Sequence, residues 1–170
     1  MKFKKVEKKD LQLSPVRMFA EDWPLLTAGD DKNGYNTMTI AWGHIGAIWN
    51  KPTIIVYVRP QRYTKEFVDS GELFTVSVLP SEYQEALAYL GKTSGRDEDK
   101  VKKANITPVF DKGTTYFEEA ELVFVCRKLY QSRIKEEGFV QHSLSDQMYP
   151  EKDFHTMYVG EIVEILQGST

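Results

Sequence analysis

"NTMTIAWGHIGAIWN", Asn36 to Asn50, carries an alternation that points to a β fold. Met38, Ile40 and Trp42 alternate with Thr37, Thr39, Ala41 and Gly43, and that period of two is the period of a pleated strand. One face is large and apolar. The other carries two threonines, an alanine and a glycine, with Gly46 soon after. A strand face turned to water normally carries polar side chains, and one turned to a core carries Val or Leu. The bareness has two readings, and both can hold. Gly43 and Gly46 mark a bulge or a tight bend of a barrel, or the face makes room for a flat ligand that meets backbone rather than bulk.

The flanks read as strands as well. "WPLLTAGD" runs into the turn "DDKNG" and returns as "YNTMTIAW", which makes a hairpin. After Pro52, "TIIVYVR" is a β-branched apolar run and reads as a buried strand. "RPQRYTKEFVDSG" changes period to a short helix, with Thr64 as its cap, Phe67 and Val68 inward and Gly71 as its stop. "LFTVSVL" is a strand ended by Pro80. "SEYQ" reads as a capping box, Ser81 to Gln84, opening a helix that ends at Gly91. "KTSGRDEDK" is a polar loop without an apolar anchor, most simply solvated and leading into a helix start. "TYFEEAELVFVCRKLYQSRI" is mostly strand, buried on both faces around Val123 to Cys126, and "FHTMYVGEIVEILQ" is the closing strand. Many strands at short spacing with a few brief helices give a mainly β fold, an antiparallel barrel, as one domain over residues 1–170.

Composition narrows the function. The 170 residues hold 41% hydrophobic and 28% charged side chains, with 22 Lys plus Arg against 25 Asp plus Glu and a net charge of −3. A mildly acidic chain is poorly suited to sequence-independent nucleic-acid binding. The single cysteine, Cys126, rules out an internal disulfide framework and suits a reducing cytoplasm. Its apolar neighbours make it a buried, inert thiol. "MKFKKVEKKD" lacks the apolar core of a signal peptide, and no segment approaches the ~18 apolar residues of a membrane span. His44, His142 and His155 follow no metal-binding spacing. No Gly-rich dinucleotide or phosphate loop is present.

What remains is "VRPQRYTKEF". A buried strand delivers Arg59 to its end, and Arg62, Tyr63 and Thr64 follow where a helix begins. Two guanidinium groups, a phenol, a hydroxyl and the free N–H groups of a helix start are the parts of a phosphate site. The plainer reading is a solvated turn with Thr64 as an ordinary cap. Trp42 divides between barrel packing and ring stacking, and Trp49 reads mainly as packing.

Taken together, "NTMTIAWGHIGAIWNKP", "VYVRPQRYTKEF" and "FTVSVL" resemble the flavin reductase-like proteins of the FMN-binding split-barrel fold, flavoredoxin-like members included. "SGRDEDK" at 94–100 resembles that family's loop beside the flavin, and "HTMYVGEI" at 155–162 its last strand. The resemblance implies a split β-barrel and FMN bound at a homodimer interface. It assigns Thr39, Ile40, Ala41, Trp42 and Asn50 to the ring and ribityl chain, and Arg59, Arg62, Tyr63 and Thr64 to the phosphate. Ser94, Gly95 and Lys100 reach a flavin from the loop, the partner's included. Many reductase members carry Gly-Asp-His before the last strand. Here the segment is Lys152-Asp153-Phe154-His155, which leaves His155 as the catalytic candidate. Two functions follow from the resemblance: transfer of reducing equivalents from NADH or NADPH to FMN, or an FMN electron carrier that shuttles electrons between protein partners without a nicotinamide site of its own.

Overall fold

The computed structural model describes residues 2–168. Its strands are β1 (Phe3–Lys5), β2 (Leu25–Asp30), β3 (Gly34–Thr39), β4 (Gly43–Ile48), β5 (Lys51–Val58), β6 (Leu73–Val78), β7 (Pro108–Val109), β8 (Tyr116–Phe117), β9 (Leu122–Arg133) and β10 (Thr156–Gly168). The helices are short: α1 (Pro15–Arg17), which runs into a π turn at Met18–Asp22, α2 (Thr64–Ser70), α3 (Gln84–Lys92), α4 (Lys100–Lys103) and α5 (His142–Met148). Eight strands make one antiparallel sheet, hydrogen-bonded in the order β3-β2-β6-β9-β10-β5-β4 with β1 added on β10. The fold is therefore mainly β with a few short helices, as expected.

The stretch 36–50 is not one strand but two. β3 ends at Thr39 and β4 starts at Gly43, and these two strands are the opposite edges of the sheet. The chain crosses from one edge to the other through Ile40, Ala41 and Trp42, and no ladder joins β3 to β4 among the described residues. This is the split of the barrel. Met38 and Ile40 still point into the core, at 6% and 4% exposure, so the apolar half of the alternation is kept across the break.

The bare half divides there too. Thr37 meets the Thr27 hydroxyl at 2.8 Å and donates to the Leu26 carbonyl. Thr39 donates to the Leu87 carbonyl of α3 at 2.6 Å. Up to Thr39 the small side chains thus serve packing, and from Ala41 onward the surface is open.

Two apolar clusters hold the sheet. One fills the barrel with Leu26, Ile54, Val56, Val76, Phe74, Phe124, Cys126 and Tyr158; the other lies under α3 and α4 with Leu87, Leu90, Phe117, Val123 and Val125. β9 therefore feeds both, Phe124 and Cys126 inward and Val123 and Val125 outward, as its unbroken apolar run implies. Cys126 is fully buried, and burial pushes its thiol pKa up.

Two capping expectations fail for one reason. Thr64 does not cap α2, because its hydroxyl accepts from Asn36 Nδ2 at 2.8 Å. Ser81 and Gln84 form no capping box: Ser81–Tyr83 is a 3-10 turn ahead of α3, and Gln84 donates to Glu21. In both cases a tertiary partner outcompetes the local one. Trp49, expected as packing, is 54% exposed at the tip of the β4–β5 hairpin.

Gly160 sits at a register shift between β9 and β10, and a Cβ there would lie 2.5 Å from Phe74 Cζ. Gly46, in β4, has nothing within 4 Å. Gly160→Ala is expected to cost about 1–3 kcal/mol, the usual range for overpacking a dense core. Gly46→Ala should stay within about 0.5 kcal/mol. Thermal melts of the two variants check this, and equal melting temperatures would show that the ring gives way without cost.

Candidate functional site

The site is built where the sheet fails to close. The Ile40 N–H is still tied to the Pro24 carbonyl at 2.9 Å. Among the described residues, no backbone partner holds the N–H of Ala41 or Trp42. Both residues are exposed, Trp42 at 39%. A backbone that is solvent-facing and unpaired is a ready hydrogen-bonding edge for a ligand.

Two small cavities meet at this edge. The first, about 230 Å³, is lined by Thr39, Ile40, Ala41, Trp42, Tyr57, Arg59, Arg62 and His155 among others. The second, about 130 Å³, is lined by Asn36, Arg62, Tyr63, Thr64, Lys92, Thr93, Ser94 and Lys100 among others. Met38 and Arg62 line both and so join them. The second cavity holds three cations and no carboxylate. Arg62 donates to the Gly91 carbonyl at 2.7 Å, and burial lowers its pKa. Lys100, only 3% exposed, donates to the carbonyls of Leu90 and Thr93 at the end of α3. Burial, with the nearby Arg62 charge second, brings its pKa down to about 8. Arg62, Lys92 and Lys100 form no salt bridge among the described residues, whereas other cations face an acid, as Lys51 does Glu161 and Lys65 does Asp69.

Arg59 belongs to the first cavity and plays a different part. Its guanidinium is 2.6 Å from Asp153, donates to the Met148 carbonyl at 2.9 Å and lies 5.0 Å over the Tyr149 ring. Gln61 also donates to Asp153, at 2.8 Å. These hydrogen bonds, that from Gln61 foremost, hold the Asp153 carboxyl below the usual range. Arg59 thus fastens the segment between β9 and β10 to the end of β5. That segment places His155 at 8% exposure, its Nδ1 2.8 Å from the Tyr149 hydroxyl and its ring 4.8 Å from Trp42. Burial, with Arg59 second, pushes the His155 pKa down to about 4, so the imidazole is neutral near pH 7.

The loop residues divide. Ser94 and Lys100 line the cationic cavity. Gly95 is packed so tightly that a Cβ would collide with Asn36 Oδ1, and the Arg96 guanidinium lies 4.5 Å over the Tyr63 ring while pairing with Glu66. The loop has polar anchors in place of an apolar one. Asn50 stands apart: it shares the positive-φ turn with Trp49 at the hairpin tip and lines neither cavity. Asn36, Lys92 and Tyr57 were not singled out from the sequence, yet they line the site. The signal for Asn36 is an amide within the β-branched and aromatic run of a strand; Lys92 carries no local signal beyond its place before the polar loop.

A larger cavity of about 650 Å³ adjoins the first and shares Ala41, Trp42 and Tyr57 with it. No group of three or more His, Cys, Asp or Glu side chains among the described residues is arranged to hold a metal ion, and no helix among them is long and apolar enough to cross a membrane.

No curated protein matches the chain. Among solved structures, an FMN-binding domain of flavin reductase-like enzymes from Shewanella baltica superposes with a TM-score of 0.68 at 13% identity, over 98% of this chain and 77% of that one. Flavoredoxin of Desulfovibrio vulgaris gives 0.65 at 24% identity, over 91% and 75%. The flavin reductase of styrene monooxygenase from Pseudomonas putida gives 0.60 at 17%, over 84% and 76%. These likenesses establish the split-barrel fold. The model of the flavin reductase like domain matches residues 16–170, and the chain is a member of the flavin reductase-like family.

Proposed function

We propose that this chain binds FMN across the two joined cavities and passes reducing equivalents from NADH or NADPH to it, as an oxidoreductase of one domain over residues 1–170. The observation that carries the reading is the cationic cavity. Arg62 and Lys100 are substantially buried, their partners are backbone carbonyls, and no carboxylate balances them. Buried cations without a counter-charge are costly, and an anion from outside relieves the cost. A phosphate with Arg62, Lys92, Lys100 and the hydroxyls of Thr64 and Ser94 around it meets that need. The adjoining cavity, walled by Thr39 to Trp42, suits a flat ring whose polar edge takes the free N–H groups of Ala41 and Trp42.

A bound flavin supplies the hydride and electron chemistry. The chain's own residues bind and orient. Neutral His155, held by Tyr149, stands beside the ring cavity as a hydrogen-bonding group without charge. Arg59 is a positioning residue that keeps His155 and Tyr149 in place.

The carrier reading, with a protein as the electron partner, draws on one observation: the large cavity beside the site has no charged side chain to receive a dinucleotide's pyrophosphate. An anaerobic mixture of protein, FMN and NADH or NADPH separates the two. Bleaching of the flavin absorbance supports the reductase, and an unchanged spectrum supports the carrier.

Exposed Trp49, Ile48, Tyr130 and Leu129, with the Trp49 and Tyr130 rings 6.0 Å apart, support a homodimer with FMN at the subunit interface. The buried lone cysteine is in keeping with a cytoplasmic setting.

Two outcomes are expected. A charge-assisted hydrogen bond contributes about 1.5–3 kcal/mol, so riboflavin, which lacks the phosphate, should bind at least about tenfold more weakly than FMN. Arg62→Ala should weaken FMN and leave riboflavin nearly unchanged. Equal titration curves for the two flavins would remove the phosphate assignment. Light scattering of the FMN-loaded protein should give twice the 19.6 kDa chain mass, and a monomer with FMN fully bound would exclude the shared site.

A further inference from the structure

We propose that the 650 Å³ cavity is a separate binding site for a small, uncharged aromatic molecule carrying a hydroxyl or carbonyl group. No Asp, Glu, Lys or Arg lines it. In a chain with 28% charged residues, so large a cavity without a charge is selective against ionic ligands. Its size falls within the roughly 300–1,000 Å³ of small-molecule pockets.

The walls are aromatic and held in place. The Phe19 ring lies against Gly43, where any Cβ would collide with it. Tyr149 meets Trp42 at 6.5 Å and Phe139 at 6.1 Å, both edge to face. Met148 adds an adaptable apolar surface. Against these walls stands one polar pair, His44 Nδ1 and the Tyr57 hydroxyl, 3.2 Å apart. That bond uses one imidazole nitrogen and leaves Nε2 without a partner among the described residues. An open, largely apolar pocket with few hydrogen-bonding groups, the His44–Tyr57 pair foremost, suits a flat ring with one polar substituent. A nicotinamide dinucleotide needs cations for its two phosphates and finds none here. Ala41, Trp42 and Tyr57 line this cavity and the ring cavity alike, so an occupant would lie next to the proposed flavin. Occupancy itself does not depend on flavin.

The test is calorimetric titration of naphthol, and of naphthalene sulfonate as its charged counterpart, into the full chain with and without FMN. Naphthol is expected to bind in both states, and the sulfonate at least tenfold more weakly. Leu144 lines the cavity from α5 at 40% exposure, so Leu144→Lys places a cation at the wall on a position that tolerates it. That variant should bind naphthol at least tenfold more weakly, narrow or reverse the preference over the sulfonate, and keep its FMN affinity. Absence of naphthol binding to the wild type, or unchanged naphthol affinity in Leu144→Lys, overturns the proposal. So does a fall in oligomeric mass caused by Leu144→Lys, which would make the cavity the seat of a second copy. Naphthol binding that FMN abolishes overturns it too, because the flavin would then occupy the cavity itself. Naphthol binding in a chain that fails to bind FMN supports this site while refuting the flavin reading.

Discussion

The two edges of the sheet, β3 and β4, are neighbours in sequence and yet are not paired with each other. Most of what is particular to this chain follows from that constraint. A barrel that closed here would satisfy every backbone group of Ile40 to Trp42 internally. The split instead leaves Ala41 and Trp42 with N–H groups that no other part of the described backbone takes up. Met38 and Ile40 keep the crossing anchored in the core while the next two residues stand in solvent. Rigid support with an unsatisfied edge is a sound platform for a ring that needs backbone donors at fixed positions.

The electrostatics divide the arginines by role. Arg59 has an acid, a carbonyl and a ring as partners, so its charge is spent inside the protein on fastening the β9–β10 segment. Arg62 sits three residues on, half-buried against a carbonyl, and its charge adds to the burial that lowers the pKa of Lys100. The unpaired group is the one with affinity left over for a ligand. The same argument explains the neutral His155: desolvation and the Arg59 charge both act against its protonation, leaving a hydrogen-bonding imidazole beside the ring cavity.

Much of this was legible in the sequence. The β-branched run of β5, the doubly buried middle of β9 and the hairpin around Asn33-Gly34 are all where local pattern places them. The resemblance led to Thr39–Trp42, Arg62–Thr64, Ser94 and Lys100, which the fold brings to two joined cavities. What escaped was tertiary. Alternation across 36–50 continues through the break, so periodicity alone reads one strand where there are two. Thr64 and Gln84 satisfy every local rule for caps and are claimed by Asn36 and Glu21 from distant parts of the chain. Thr39 looked bare and is covered by α3, a contact no pattern within β3 announces. Helix α5 and the large cavity beneath it have no sequence signature, because aromatic side chains from four separate segments build it.

The open crossing at Ala41 is proposed as a ligand platform and not as barrel interior. Ala41→Leu tests it when FMN affinity and the melting temperature of the flavin-free protein are measured on the same sample. Because Ala41 is exposed, a larger side chain there should exclude the ring and leave the flavin-free melt nearly unchanged. Retained FMN affinity, or a melt that collapses before flavin is added, would contradict the account and return that residue to the core.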